Sequence, residues 1–201
     1  MSSLNQKNIA VKTAGGAVFS AISIGFAVSL SPIVPRIPGW GIAIIDPVSI
    51  IWVLCFLIFG VFAGLICALA GFTALFYVDP FIPWGPLFKL AATLPLIIIP
   101  YILVKYFRNQ SFQKLGLKFE KPSTYLMAGL PAVAVRCAIM GVFNILFFMF
   151  ILGEGAITAV GGLQTVLIIA IAINAEQSFW DLGLPWLITY PTGIYRIYKL
   201  W

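Results

Sequence analysis

This sequence contains no histidine, and only 9% of its residues are charged. A soluble domain averages about 25% charged residues, so the chain lacks the polar surface that a water-facing globule needs. Without imidazoles, a zinc site or a histidine-ligated haem is poorly supported. Cys55, Cys67 and Cys137 all sit inside apolar runs and none belongs to a C-x-x-C, which argues against a disulfide framework. No G-x-x-x-x-G-K-S/T occurs, so the chain brings no ATPase loop of its own. The six acids are scattered, with Glu176 and Asp181 as the one close pair. A membrane enzyme acting on lipid would call for clustered acidic metal ligands or a histidine.

What the chain does have is apolar sequence: 62% of its 201 residues are hydrophobic. That composition predicts an all-α integral membrane protein, a single membrane domain over 1–201, with room for five or six spans at roughly 20 residues each. The net charge of +6 is therefore read by position, as topology, and not as nucleic-acid binding. The first apolar run, from Ala14 to Ile33, is about 20 residues, longer than a signal-peptide core of roughly 7–15. It is expected to be a retained transmembrane helix.

The apolar blocks are 13–34, 47–78, 86–107, 123–152 and 159–198. As one helix, block 47–78 would be roughly 48 Å long, too long for a hydrocarbon core of about 30 Å. As a hairpin turning near Gly60 and Gly64, it puts Lys7, Lys12, Lys105, Arg108, Lys114, Lys118, Lys121, Arg196 and Lys199 on one side. The positive-inside rule makes that side cytoplasmic. The prediction is a six-helix bundle with both termini cytoplasmic and helices at about 13–34, 47–60, 64–78, 86–107, 123–150 and 173–195. The segment "GEGAITAVGGLQTVLIIA" is expected to be an apolar outer loop with a short helix.

In that topology the unusual polar residues gather at the outer end. The first outer loop carries Arg36, Trp40 and Asp46; the second carries Asp79 and Trp84, followed by Lys89. Asn144 lies near the outer end of the fifth helix. Asn174, Gln177 and Asp181 recur at i, i+3 and i+7, so they share a face of the last helix. Carboxamides offer donors and acceptors without the desolvation cost of a charge, and tryptophans offer faces for stacking. Together they suit a planar, neutral, polyfunctional ligand. Trp40 and Trp84 also suit an interfacial belt, and Asn144 an interhelical hydrogen bond. Arg136 should face the bundle or a wet cavity, bonded to carbonyls or a carboxylate, and Asp46 is a suitable ion-pair partner for Lys89. Ala17 and Ala21, with Gly25 one turn on, allow close approach of a helix from the same bundle or from another subunit.

In this order and spacing, the chain resembles the substrate-binding S components of energy-coupling factor (ECF) vitamin transporters, over nearly its whole length. Ala17-x-x-x-Ala21 resembles the family's docking motif for the transmembrane coupling subunit. "IIDPVSIIWVLCFLIFGVFAGLICALAG" is similar to its helix 2–3 hairpin, and "GPLFKLAATLPLIIIPYILVKYF" to its helix 4. "VRCAIMGVFN" is similar to the VR-x-x-x-M-x-x-x-N pattern of the riboflavin-type members, and "INAEQ" falls where those members carry FN-x-x-K. The resemblance implies a non-enzymatic, multi-pass subunit of the cell membrane with no cofactor of its own. Such a subunit captures a vitamin and works with the coupling subunit and two ABC ATPases. It implies that Asn144 and Asn174 hydrogen-bond a flavin ring and that Arg136 braces the outer half of the bundle; Trp40, Trp84, Asp46 and Lys89 are expected around the same pocket from their placement at the outer end. Gln177 stands where the family has lysine, which keeps thiamine, biotin or a queuosine precursor open beside riboflavin. A small membrane enzyme or a channel is the remaining alternative; a channel would want a polar stripe through the full membrane depth, which the inner halves of these helices lack.

Overall fold

The computed structural model describes residues 3–30, 33–35, 43–107, 115–198 and 201. Among them no strand forms; the regular structure is helical. The helices are α1 Ser3–Ser29, α2 Pro47–Phe59, α3 Val61–Val78, α4 Trp84–Phe107, α5 Leu115–Lys118, α6 Pro122–Phe147, α7 Glu154–Ala159, α8 Leu163–Thr189 and α9 Ile194–Tyr198. A single π-helical turn, Phe148–Leu152, extends α6. Five helices (α1, α3, α4, α6 and α8) are long and apolar enough to cross a membrane.

The sixth predicted span, α2, differs. Its 13 residues give only about 20 Å of helix at 1.5 Å per residue, and every one after Pro47 is buried. A helix that is apolar all round belongs in a core, and α2 is the post around which the others pack. Asp46 caps its N-terminus by accepting from the Val48 N–H, with Pro47 at the first helical position.

Gly60 turns the chain between α2 and α3 at φ 93, a left-handed conformation glycine adopts without penalty. Small residues then let the two helices close antiparallel: a Cβ on Gly64 would lie 2.7 Å from Phe56 Cβ, and one on Gly71 2.6 Å from Trp52 Nε1. The hairpin is as expected. α1 packs on both through Gly15 against Phe59 and Gly16 against Ile66, and the Trp52 indole donates to Ser23 Oγ at 3.1 Å.

Two predicted boundaries are corrected. The first helix spans 3–29 instead of 13–34, so Lys12 lies within it. The last long helix spans 163–189 instead of 173–195. Of the expected outer loop, only the short helix α7 and the turn after it remain; Leu163 to Ala172 are helical. The reason is local: Gly161 and Gly162 hold φ of 87 and 96, so they break the helix there, and the segment beyond Thr189 turns through Pro191 and Gly193. Charge placement alone sets this helix about three turns too late.

Candidate functional site

Interior polar residues from four helices meet in the half of the bundle where α2 and α4 begin and α3 and α6 finish, with Asn174 and Gln177 reaching it from the middle of α8. They surround a cavity of about 450 Å³, within the usual range for small-molecule sites. Asp46, Asp79, Lys89, Arg136, Asn144, Asn174 and Gln177 supply its polar wall. Trp84, Phe88, Phe147 and Phe148 supply an aromatic one. Trp84 and Phe88 stand 5.5 and 5.4 Å, ring to ring, from Phe147. The π-turn after α6 lies here, a common place for such a distortion.

Arg136 organises the polar wall. Its guanidinium, 1% exposed, fans across the shared face of α8. Nη1 donates to Asp181 Oδ2 at 2.6 Å, Nε to Asn174 Oδ1 at 3.1 Å and Nη2 to Gln177 Oε1 at 2.9 Å. An intramembrane arginine needs such partners, and the fork of guanidinium donors can satisfy three acceptors at once. The sequence-level expectation that Arg136 meets a carboxylate holds, but it also takes the carbonyl oxygens of two residues expected to read a ligand. Gln177 passes the contact on, donating through Nε2 to the Ala43 carbonyl at 2.6 Å. The buried ion pair is thereby tied to the base of the first connecting loop.

A second pair faces it. Lys89 Nζ lies 2.7 Å from Asp46 Oδ1, and Asp46 Oδ2 accepts from Ser49 Oγ, which in turn contacts Thr93 Oγ1 at 2.8 Å. Burial alone would raise the Asp46 carboxyl. The Lys89 ammonium and hydrogen bonds from Lys89, Ser49 and the Val48 N–H outweigh it, and the group titrates below the ordinary aspartate value. Asn144 donates to the Met140 carbonyl of its own helix at 2.8 Å, not across helices. Its side-chain oxygen has no hydrogen-bond partner among the described residues.

Six of the predicted binding residues, Asp46, Trp84, Lys89, Asn144, Asn174 and Gln177, therefore line one cavity. Trp40 lies outside the described residues. Arg136, Asp79, Phe88 and Phe147 also line it, without having been singled out as binding residues. Phe88 sits in the apolar run of α4 and Phe147 in the one that follows Asn144, where periodicity alone cannot separate lipid-facing from cavity-facing rings. Ala17 and Ala21 are elsewhere: with Gly25 they form an exposed stripe along α1, and a Cβ on Gly25 would meet nothing within 4 Å.

No protein-family model, curated protein or solved structure matches this chain.

Proposed function

We propose that this chain is the substrate-capturing subunit of an ECF-type vitamin importer, a six-helix protein of the cell membrane with its cavity facing outward. The observation that carries this reading is the convergence of Asp46, Trp84, Lys89, Asn144, Asn174 and Gln177 on a single cavity at one end of the bundle. The opposite end bears Lys12, Lys105, Lys118, Lys121 and Arg196. The positive-inside rule assigns that basic end, and both termini with it, to the cytoplasm.

Riboflavin is the best candidate ligand, and the charges support a guest that is not an anion. Arg136 and Lys89 are already matched by Asp181 and Asp46, so neither calls for an anionic guest, and Asp79, which accepts from the Phe81 N–H and has no cation among the described residues, disfavours one further. Asn144 offers a carbonyl oxygen, and Trp84, Phe88 and Phe147 offer ring faces and edges for a planar ligand. A different vitamin is the second reading, favoured by glutamine at position 177. Ala17 and Ala21 on the exposed stripe of α1 would meet the coupling subunit, and two partner ABC ATPases would supply ATP hydrolysis for release inward.

The test is to purify the protein in mild detergent from cells grown in rich medium, denature it, and analyse the extract by mass spectrometry and by absorbance from 300 to 500 nm. One equivalent of flavin is expected. Another co-purifying vitamin keeps the mechanism and reassigns the substrate. A protein that is empty and binds no vitamin on titration overturns the proposal. With the ligand known, Asn144→Ala should weaken its binding about 10–100-fold, the cost of leaving a buried polar group of the guest unmatched, while the thermal midpoint stays near that of wild type.

A further inference from the structure

Glu176 belongs to none of these arrangements. It is the middle residue of the 27-residue α8, with about 20 Å of helix on either side. Half of a hydrocarbon core is about 15 Å, so a short glutamate side chain there cannot reach either interface. Its neighbours Asn174, Gln177 and Asp181 turn inward, whereas Glu176 is exposed on the outward face, beside Ala172, Ala175 and Phe179. One carboxylate oxygen accepts from Trp180 Nε1 at 2.5 Å. Among the described residues no cation pairs with it; the three ion pairs involve other acids.

Lipid tails offer nothing to an ionised carboxylate, which is why intramembrane acids normally face protein or water. The surface around this one is built for close approach: Ala172 and Ala175 are small, and a Cβ on Gly183 would meet nothing within 4 Å. We infer that this face of α8 is covered by a transmembrane helix of a different protein, carrying an arginine or lysine at mid-membrane depth. Charge complementarity selects that occupant. A second copy of this chain, docked about a two-fold axis here, would set Glu176 against Glu176. The surface is separate from the small-residue stripe of α1, because α1 packs mainly on α2 and α3 while α8 packs on α6 and α2. The inference needs only that α8 spans a membrane, so it stands or falls independently of the vitamin reading.

The experiment places the full chain in liposomes with a fluorescent single-span leucine-alanine helix carrying one central arginine, or leucine as control, and reads energy transfer. The arginine probe should bind wild type at least about tenfold more tightly than the leucine probe, the worth of one charge-assisted contact. Glu176→Gln should erase that preference while keeping the wild-type thermal midpoint, since the carboxylate touches no other helix. Ala175→Leu should weaken the arginine probe with the charge still present. Equal binding of the two probes, a preference that survives Glu176→Gln, or a lowered midpoint in that variant would each overturn the inference. So would disulfide-linked dimers formed in native membranes by an Ala172→Cys variant, because they would identify the occupant as a second copy.

Discussion

The two ends of this bundle are built from similar residues and come out opposite. At the basic end, the rings of Phe56, Phe119 and Trp201 fill the space under the α2–α3 turn, with centroids 5.0 to 6.2 Å apart. Their polar neighbours bond to backbone: Trp201 Nε1 to Leu57 O, Trp186 Nε1 to Phe119 O, Tyr190 Oη to Gly116 O and Tyr125 Oη to Leu182 O. Each of these donors ends on a main-chain acceptor, so the end is filled by rings tied to the backbone. At the cavity end, aromatics stand around a void and the polar groups bond mostly to one another. Such a network holds together only while every member is present. The solid end maintains the fold, and the hollow end is where a guest can compete for contacts.

The sharpest way to break the comparison is to remove its central cation. Arg136→Met should cost about 3–5 kcal/mol, because Asp181 is left as an uncompensated buried charge. Asn174 and Gln177 lose their partner as well. Adding Asp181→Leu should recover a large part of that loss, since a pair in contact is strongly non-additive. Denaturant unfolding of both variants in detergent measures the difference. Equal losses for the single and double variants would mean that Arg136 is held by its stem packing and not by the ion pair.

The solid end should fail differently. Trp201→Ala removes a buried indole that lies against Gly60 and Phe56, at a cost of about 3 kcal/mol. Ligand binding in the distant cavity should be unchanged in the protein that remains folded. A loss of affinity in Trp201→Ala would show that the two ends are mechanically coupled, and the division between them would have to be abandoned.

Much of the hollow end was legible because polar residues inside apolar runs are costly and need a reason. That argument singles out Lys89, Asn144, Asn174 and Gln177, Asp46 follows as the ion-pair partner of Lys89, and the three-and-four spacing puts Asn174 and Gln177 on one face with Asp181. Helix α2 was readable from Asp46-Pro47, a cap followed by a fixed φ. The partners were harder. Gln177 bonds to the carbonyl of Ala43, 134 residues away, and a main-chain acceptor has no side-chain signature. Arg196 and Lys199 place the last span by charge and so set the start of α8 too late, whereas the signal for that start is local, the Gly161-Gly162 break. The solid end left little trace at all: Trp201, Phe119 and Phe56 are far apart in sequence, and nothing in an apolar chain marks which aromatics will meet.

The finest test concerns the second ion pair. The Asp46 carboxyl titrates below its ordinary value when folded, so the native state favours the charged form. Its contribution to stability is fully present above the unfolded value of about 3.9, and is lost as pH falls through the lower, folded value. Stability attributable to this group should thus be flat from neutral pH to about 5 and decline below about 4. Asp46→Asn should lower stability at neutral pH by on the order of 1–2 kcal/mol, as hydrogen bonds to a charge are lost, and should flatten that acid limb. If the acid limb is unchanged in Asp46→Asn, the acid sensitivity belongs to other carboxyls and Lys89 does not depend on this partner. If the limb flattens and the midpoint at pH 7 falls, the Asp46–Lys89 pair is a working part of the cavity wall, positioning α4 against the cap of α2.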